Sequence, residues 1–567
     1  MAENQSIEQD VDALKEWRER PWVLAVLMAV AGLVVHICTD GSNIEQWRAA
    51  LAAAAVFGPL VFAFTLTEER WRSSLVFSAI VALVMAGIAW RATAAGDGFA
   101  DEEFWVAAGV LATTLSVPLF QAGFHRLRWQ TSYKSTHFHV WTDAITGAGA
   151  LAFVGLSWAL IAILAELFSA IQIDLLKDLL DEEPFGWMFS GTTFGAALGV
   201  LRNQLKIIGT LQNVVLLVLS ILAVPLAIAL VIFLLAVLVS GIDVLWEATK
   251  SATPLLLSVA VGCFVLANAV VRDDDADASN SRVLRIAGFV LALGILPLSV
   301  MAAISMGTRI AQHGLSPERI WALIAIAVAV AYGVAYFVSA IRGRDAGWRR
   351  FLRQSNLHLA VMTAVLALLL AMPILNFGSI STSNQLARLA AGEVSAEEFD
   401  YRALRWDFGD PGREALATLS QSDDAKVAEL ALSAQNAESR YEARRVENAE
   451  AINSAPIDVE DDDIRLAVRI YLQGNYYRCR EKCRVVELGE LGGQPLMVLL
   501  GENYDPEFLV YDEATNKVSD AAIRHGQMHR DTPYKVPEFD ENSNVELRPF
   551  TGQQLYIDGK PASGAFE

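Results

Sequence analysis

Hydrophobic residues in the first two-thirds of the chain occur in long uncharged runs separated by short charged joints. A helix needs about 20 apolar residues to cross the hydrocarbon core of a bilayer. Ten runs meet this requirement, at about 21–38, 48–66, 73–90, 104–124, 140–165, 214–239, 252–271, 284–306, 320–341 and 357–377. From Gly378 onward the sequence reads as soluble protein. The pattern predicts a polytopic helical bundle followed by a soluble C-terminal region.

The distribution of basic residues between the runs favours an eleventh crossing. Ten crossings with the N-terminus inside would leave Arg342, Arg344, Arg349, Arg350 and Arg353 in an outside loop, against the positive-inside rule. The run Phe185–Leu201 is uncharged and rich in Gly, Ala and Thr, which allow close helix contact in lipid. With this run included, the inside joints carry 18 basic residues and the outside joints carry 6. We expect about 11 transmembrane helices, a cytoplasmic N-terminus and an extracytoplasmic C-terminus.

The residues inside the predicted spans indicate which kinds of transport the protein could carry out. Five spans contain a proline that tends to kink its helix, namely Pro59, Pro118, Pro225, Pro297 and Pro373. Such kinks are either hinges or static features of a bundle. The interiors lack the charged residues that proton- and ion-coupled transporters use, and Asp143 is interpreted as flanking the fifth span. A carrier or channel for a neutral or lipid-like compound therefore remains as an alternative hypothesis.

Composition and charge restrict the partners of the protein. Of the 567 residues, 54% are hydrophobic and 19% are charged, which agrees with a lipid bilayer as the main surroundings. The net charge of −20 is concentrated in residues 378–567, which hold 20 Lys and Arg against 35 Asp and Glu. An acidic surface of this kind repels nucleic acid. We expect no nucleic-acid partner and consider an envelope protein as a partner instead.

Motifs of catalysis and cofactor binding are missing from the sequence. It contains no phosphate-binding GxxxxGK[ST], no HExxH zinc helix and no GxSxG nucleophile elbow. We therefore expect no enzyme activity, no catalytic residue, no metal site and no cofactor. Two histidine groups leave a metal as the minor alternative: His125, His137 and His139 near Asp143, interpreted as membrane-interface residues, and His525 with His529.

The four cysteines fall into two classes. Cys38 and Cys263 lie in or beside apolar runs and are interpreted as packing residues. Cys479 and Cys483 lie in the soluble region, and their spacing is not the CxxC of redox enzymes. On the oxidising side of a membrane such a pair tends to form a disulfide, here expected to close a tight loop between two strands. Free thiols or bonds to other chains are the alternatives.

The soluble region divides into a helical part and a mostly β part. Asp410 and Pro411 begin a short helix, and Ser422 or Asp423 caps a longer helix that continues to about Ile452. The acidic stretch Asp458–Asp463 is interpreted as a linker. Six later segments have strand-like patterns: LAVRIYL, CRVVEL, PLMVLL, FLVYDE, VELRPF and QLYI. The predicted domains are a cytoplasmic segment at 1–20, the bundle at 21–377, a membrane-proximal collar at 378–455 and a small, mostly β domain at 456–567, which makes the extracytoplasmic part α+β.

Several stretches resemble a known family. They are FGWMFSGTTFGAALGVLRN (185–203), SGIDVLW (240–246), LANAVVRD (266–273), TRIAQHGLSPERIWAL (308–323) and SNQLARLAAGEVSAEEFDYRALRWDFGDPG (383–412). In order and span pattern they resemble the domain of unknown function (DUF) 4153 family of bacterial inner-membrane proteins. The resemblance implies a multi-pass protein of a bacterial, Gram-negative inner membrane and supplies no activity.

The family-like segments on the outer side contain the candidate ligand or partner site. Its residues are Arg309, Arg319, Arg388, Arg405 and Asp407, which alternatively only clamp a loop to the collar. The leading functional hypothesis is an envelope sensor or scaffold that presents a periplasmic domain. The alternative is a transporter or channel for a neutral or lipid-like compound. A membrane enzyme that uses outer-face Arg and Asp residues ranks third.

Overall fold

The computed structural model describes residues 16–41, 44–241, 252–275, 281–343, 347–439, 452, 455–479, 483–501, 504–521, 543–549 and 553–561. The chain forms two compact units, one of Met1–Phe399 with Ala403–Ala415 and one of Asp400–Arg402 with Leu416–Glu567. The predicted histidine pair His525 and His529 lies outside the described residues.

Most of the first unit is a helical bundle. In chain order its helices are α1 (Arg20–Thr39), α2 (Gln46–Thr65), α3 (Trp71–Ala95), α4 (Glu102–Gln121), α5 (Phe124–Leu127), α6 (Tyr133–Ser169), α7 (Leu175–Asp181), α8 (Glu183–Asn203), α9 (Leu205–Ser240), α10 (Ala252–Val271), α11 (Arg282–His313), α12 (Pro317–Arg342) and α13 (Gly347–Ala371). Ten of the described helices are long and apolar enough to cross a membrane, namely α1 to α4, α6 and α9 to α13. The predicted polytopic bundle is confirmed.

Helix α8 contains the predicted eleventh span and packs along the whole of α1. Its glycines recur every fourth residue, and a Cβ added to Gly191, Gly195 or Gly199 would lie 2.1–2.5 Å from the backbone of Met28, Leu24 or Pro21, respectively. Successive contacts involve residues of increasing number in α8 and of decreasing number in α1, so the two helices are antiparallel. Only glycine permits backbones to approach this closely, the device that GxxxG sequences provide in membranes.

Contacts between helix ends show which helices run in the same direction. Arg91, near the C-terminal end of α3, donates a hydrogen bond of 3.3 Å to the carbonyl of Ala371, the last residue of α13. Helices α3 and α13 therefore end on one side of the bundle, which we call the collar end. The opposite side, where α1 begins and α8 ends, we call the basic end.

A closed ring of hydrogen bonds joins α10, α12 and α13. Asn268 Nδ2 donates to Tyr336 Oη at 2.7 Å, Tyr336 Oη donates to Asn356 Oδ1 at 2.8 Å, and Asn356 Nδ2 donates to Asn268 Oδ1 at 2.7 Å. All three side chains are buried. Because every polar atom of the ring finds a partner, burial of these groups is tolerated and the three helices are held in one register.

Four of the five predicted helix prolines lie inside helices, in α2, α4, α9 and α11. The fifth, Pro373, follows the end of α13 at Ala371, so its interpretation as a mid-span kink is wrong. A proline lacks the backbone donor that helix continuation requires, so here it stops the helix instead.

Beyond the bundle the chain forms short helices. They are α14 (Phe377–Ala390), α15 (Tyr401–Trp406), α16 (Gly409–Leu419) and α17 (Ala425–Asn436). The side chain of Asp424 caps α17 by accepting from the backbone N–H groups of Lys426 and Val427. The predicted caps Ser422 and Asp423 are therefore wrong by one or two residues, and α17 ends well before Ile452.

Besides α17, the described part of the second unit contains two sheets and a helix. Its elements are β1 (Ile457–Asp458), α18 (Asp462–Gly474), β2 (Cys483–Leu491), β3 (Gln494–Gly501), β4 (Tyr504–Asp512), β5 (Lys517–Asp520), β6 (Val545–Pro549), β7 (Gln553–Ile557) and β8 (Lys560–Pro561). Strands β1 to β5 form one sheet in sequence order, and β6 to β8 form the other. Five of the six predicted strand segments are strands, which confirms the mixed sheet.

The sixth segment, LAVRIYL, is part of helix α18. Ile464, Ala467, Val468 and Leu472 are buried at helical spacing, and Asp461 caps the helix through the N–H of Asp463 and Ile464. The acidic stretch 458–463 is therefore not a linker, because it supplies the end of β1, the cap and the first turn of α18. Helix α18 covers one face of the larger sheet and the smaller sheet contributes to the core on its other face.

Cys479 and Cys483 are joined by a disulfide with their Cα atoms 5.3 Å apart. Both cysteines are buried beside α18. Cys479 follows a 3-10 turn after α18, and Cys483 is the first residue of β2. The bond therefore connects a helix to a strand, which corrects the expected loop between two strands.

Candidate functional site

Helices α3, α4 and α13 enclose an apolar groove in the bundle. Its volume is about 350 Å³, within the range of about 300–1,000 Å³ that small-molecule sites occupy. Its walls include Phe77, Val81, Val84, Ala112, Leu119 and Leu368. At its rim Ile80 is 54% exposed and Val365 is 51% exposed. The groove thus opens sideways through aliphatic side chains, on the surface that the bilayer covers.

The groove extends about halfway across a membrane. On α4 it is lined from Gly109 to Phe120, a separation of about 16 Å at a rise of about 1.5 Å per residue. The hydrocarbon core of a bilayer is about 30 Å thick. Because α4 ends at the basic end of the bundle, the groove lies in the half of the bundle nearer that end. Its length suits an extended hydrocarbon chain.

Three stacked rings form the end wall of the groove. The rings of Phe77 and Phe120 are parallel with centroids 4.2 Å apart, and those of Phe120 and His125 lie 4.8 Å apart. Phe120 and His125 also line a second cavity, which we call the basic pocket. The groove and the basic pocket are therefore neighbours that share one wall.

The basic pocket lies between the α2–α3 joint and the ends of α4 and α8. Its polar lining includes Thr67, Arg70, Gln121, His125, Arg126 and Arg202. The cavity volume is about 40 Å³. Since a water molecule needs about 10–15 Å³ measured in this way, the pocket has room for about three non-hydrogen atoms of a polar group.

One wall of the basic pocket is Arg202, which forms a buried ion pair with Asp143. Arg202 is 3% exposed, and its Nη1 lies 3.1 Å from Asp143 Oδ1, which also accepts from Gln121 Nε2 at 3.2 Å. Arg20 Nη1 donates to the carbonyl of Arg202 at 2.9 Å. The Nε atom of Arg202 and the hydroxyl of Thr67 are buried without a hydrogen bond among the described residues. Unused polar atoms of this kind are available to a ligand.

The sequence did not reveal this ion pair, since Asp143 was interpreted as a flank of the fifth span. The sequence does contain a signal for it. Asp143 lies near the start of one apolar run, and Arg202 directly follows another. Because isolated charges are costly in lipid, two such residues tend to pair. Pairing them required knowledge that α6 and α8 pack side by side.

The electrostatics of the basic pocket favour an anion. Burial and the positive charges of Arg126 and Arg70 lower the pKa of His125. Burial is the larger cause of the lowered pKa, and the smaller contribution of the two arginines shows that His125 lies in positive potential. A group of about three non-hydrogen atoms with acceptor oxygens, such as a carboxylate, fits both the charge and the volume of the pocket.

Among the predicted outer-face residues, the structure brings Arg319 and Arg388 to one loop. Arg319 Nη1 donates to the carbonyl of Gly314 at 2.7 Å, and Arg388 Nη2 donates to the carbonyl of Gln312 at 2.9 Å. Gly314 has φ +71, and a Cβ there would meet the Arg388 side chain at 2.7 Å. The arrangement matches the clamp alternative. Arg309 lies one helical turn before His313. The charges of Arg319, Arg309 and Arg388 act together on the His313 side chain.

Asp407 belongs to a separate acidic group at the collar end. Burial, followed by the negative charges of Glu318, Glu103, Asp407 and Glu102, raises the pKa of Asp101 to about 7. Asp101 has φ +55 and directly precedes α4. Arg405, in α15, makes no hydrogen bond or ion pair in the described part of the chain. The five predicted residues therefore do not form one site.

Of the two histidine groups considered as metal sites, only the group near Asp143 lies in the described residues. In the described ranges, no group of three or more His, Cys, Asp and Glu side chains is placed to hold a metal ion. His137 packs against the ring of Tyr133 instead, with ring centroids 5.6 Å apart.

The long apolar helices and the lateral groove define a polytopic membrane protein. The family model described as "Domain of unknown function (DUF4153)" matches residues 49–419, and the chain belongs to this family. No curated protein and no solved structure matches the chain. The groove and the basic pocket lie entirely inside the matched region, whereas the two sheets of the second unit lie beyond it.

Proposed function

We propose that this membrane protein binds a lipid-like compound in the groove and carries it as a transporter. The observation that supports this proposal best is an apolar groove of about 350 Å³ that opens at Ile80 and Val365 and ends at a polar pocket. An amphiphile matches that arrangement, because its chain needs apolar walls and its head group needs polar atoms. Both cavities lie inside the region that the family model matches. This position supports a role for them in a function that members of the family share.

The experiment fills the groove with one large side chain. Val365→Trp places an indole at the rim, and Met362→Trp places the same group on the same helix away from the groove lining. Val365 and Met362 are 51% and 42% exposed, so neither change should disturb the packed core.

Two measurements compare these variants with the wild type. Native mass spectrometry of the purified protein should show one retained lipid fewer for Val365→Trp, and Met362→Trp should equal the wild type. In proteoliposomes, movement of a fluorescent lipid between leaflets should slow for Val365→Trp only. Equal lipid retention and equal transfer for all three proteins would overturn the proposal.

We further propose that the membrane is a bacterial inner membrane and that the basic end faces the cytoplasm. The excess of basic residues in the joints at this end supports the orientation. The disulfide between Cys479 and Cys483 supports it too, since such bonds persist in the periplasm and are rare in the cytoplasm. The N-terminus would then be cytoplasmic and the C-terminal domain periplasmic.

A thiol-labelling experiment tests this orientation. Cys38 and Cys263 are changed to serine, and intact spheroplasts are treated with a membrane-impermeant maleimide before and after reduction. Labelling of Cys479 and Cys483 only after reduction is expected. Labelling that requires lysis of the cells would place the C-terminal domain in the cytoplasm and refute the orientation.

An envelope sensor or scaffold is the second candidate function. It draws support from the second unit, which has its own hydrophobic core and its own disulfide. In this case the second unit would bind an envelope protein. Removal of residues 420–567 should abolish function while the bundle still inserts. Full complementation of a deletion strain by the truncated protein would exclude this candidate.

A further inference from the structure

We infer that the ligand of the groove is a diacylglycerol, an uncharged lipid that lies along α4 with its hydroxyl towards His125 and an ester carbonyl at Thr113. The inference rests on the proposed function and specifies its ligand. It follows from the polar groups inside the groove itself, which are few, uncharged and arranged one after another along its length.

Among the residues that the structure describes, no charged side chain lines the groove. Its polar lining consists of Thr113, Ser116 and His125, and its other lining residues are apolar. Burial, followed by the positive charges of Arg126 and Arg70, lowers the pKa of His125, so this imidazole is uncharged at neutral pH. A charged head group in the groove would lose its hydration without meeting an opposite charge, which is costly. The groove therefore favours an uncharged ligand.

The basic pocket lies on the other side of a wall. Phe120 and His125, with ring centroids 4.8 Å apart, line both cavities and separate them. The pocket volume of about 40 Å³ admits about three water-sized groups, which is too little for a phosphate ester. The head group of a lipid in the groove therefore stays on the groove side of the wall.

The hydroxyl of Thr113 is an unused donor in the groove. The next residue, Thr114, donates its hydroxyl to the carbonyl of Val110 at 2.8 Å, as helical threonines commonly do. Ser116 donates to the carbonyl of Thr113 at 2.8 Å. The hydroxyl of Thr113 makes no hydrogen bond with the described residues. Because a donor without a partner is costly in apolar surroundings, this position favours a ligand with an acceptor oxygen.

The polar groups follow one another as the oxygens of a glyceride do. Thr113 and Phe120 are about 10 Å apart along the axis of α4, and His125 stacks on Phe120. A neutral imidazole donates at one nitrogen and accepts at the other, which suits a hydroxyl. Ser116 lies between these positions. A diacylglycerol has a hydroxyl followed by ester carbonyls, whereas a simple fatty alcohol has a single polar group.

The width of the groove admits one chain. Its volume of about 350 Å³, spread over the roughly 16 Å between Gly109 and Phe120, leaves a mean cross-section of about 20 Å². Because carbon atoms in contact lie about 4 Å apart, one acyl chain fills this space. The second chain leaves through the rim at Ile80 and Val365, which is open to the bilayer.

Matched lipids and matched threonine variants test the inference. The full-length protein is titrated with dioleoylglycerol, with dioleoylphosphatidate, which carries a phosphate on the same hydroxyl, and with dioleylglycerol, in which ethers replace the esters. Binding is measured by native mass spectrometry. Thr113→Val removes the hydroxyl in the groove at nearly constant volume. Thr114→Val is the control, because Thr114 is the next residue, is exposed and does not line the groove.

We expect the wild type to bind dioleoylglycerol about tenfold more tightly than dioleoylphosphatidate, because the phosphate would be desolvated without a counter-charge. Thr113→Val should weaken the binding of dioleoylglycerol about fivefold, the effect of one lost hydrogen bond. Thr114→Val should leave this binding unchanged. Dioleylglycerol should bind equally to the wild type and to Thr113→Val, because it has no ester carbonyl that Thr113 can donate to.

Three results would overturn the inference, and only the last also overturns the proposed function. Equal or tighter binding of dioleoylphosphatidate, lost in Val365→Trp, refutes the uncharged ligand and retains the groove as a lipid site. Equal affinities of Thr113→Val and Thr114→Val for dioleoylglycerol, or an equal loss for the ester and the ether lipid, refute the contact of Thr113 with an ester. Binding of all three lipids that Val365→Trp does not affect refutes the groove itself.

Discussion

Replacing Gly195 by alanine should separate α8 from α1 and destabilise the bundle. The added Cβ would lie 2.2 Å from the carbonyl oxygen of Leu24 and 2.6 Å from its carbonyl carbon. Both atoms belong to the backbone of α1, so no side-chain rotation relieves the overlap. The two helices must move apart, and the neighbouring glycine contacts at Gly191 and Gly199 lengthen with them.

The size of the effect follows from two opposing contributions. Alanine is better than glycine within a helix by about 0.8–1 kcal/mol. Overpacking of a tight contact costs about 1–3 kcal/mol. Because the clash is with backbone at 2.2 Å, we place its cost at the upper end, for a net loss of about 2 kcal/mol. Gly186 of the same helix is the control, since a Cβ there meets the Trp158 ring at an ordinary 3.6 Å.

Thermal unfolding in detergent, followed by the far-ultraviolet helix signal, distinguishes the variants. Gly186→Ala should be neutral or slightly stabilised, and Gly195→Ala should unfold at a clearly lower temperature. If Gly195→Ala were as stable as Gly186→Ala, the close packing of α8 against α1 would be refuted. The assignment of α8 as a crossing would then lose its main structural support.

Three further predictions concern other parts of the molecule. Because the pKa of Asp101 is raised to about 7, the folded protein holds this proton more tightly than the unfolded one. Its stabilising effect is therefore full at acidic pH and lost as the pH rises through 7, by about 2 kcal/mol once discounted for partial exposure. Asp101→Asn should remove this pH dependence of the melting temperature, and an unchanged profile would contradict the assignment. Tyr336→Phe leaves polar atoms of Asn268 and Asn356 unpaired and should cost about 1–3 kcal/mol in the same assay, whereas a neutral result would show that the ring is dispensable. Cys479→Ser should lower the stability of the second unit by about 2 kcal/mol, and reductant should lower the wild type, but not the variant, to the same level.

Local patterns predicted most elements because each depends on near neighbours in the sequence. The apolar runs gave the long helices, and β3 was predicted from an uninterrupted apolar run because both of its faces are covered. Helix α18 was missed for a comparable reason. Its buried residues Ile464, Ala467, Val468 and Leu472 fit a helical period, but over seven residues the same apolar positions also resemble a strand.

The groove and the basic pocket could not be predicted in this way. Thr67 comes from a joint, and Gln121 and Arg202 come from the ends of two helices; the three lie far apart in the sequence and meet only through helix packing. Each residue alone is typical of the interface of any membrane protein. The distinguishing property is a shared cavity, and a single sequence carries no record of which joints are neighbours.

The topology depends on the least hydrophobic of the long helices. Seven long helices lie between α3 and α13, and α8 is one of them. If all seven cross in alternate directions, α3 and α13 run parallel, which agrees with the hydrogen bond from Arg91 to Ala371 that places their C-terminal ends on the same side. If the other six cross and α8 does not, the C-terminal ends of α3 and α13 lie on opposite faces, which disagrees with this bond. The glycines of α8 lower its hydropathy, which makes this span difficult to detect from the sequence. The same glycines allow α8 to pack closely along α1 in the bundle.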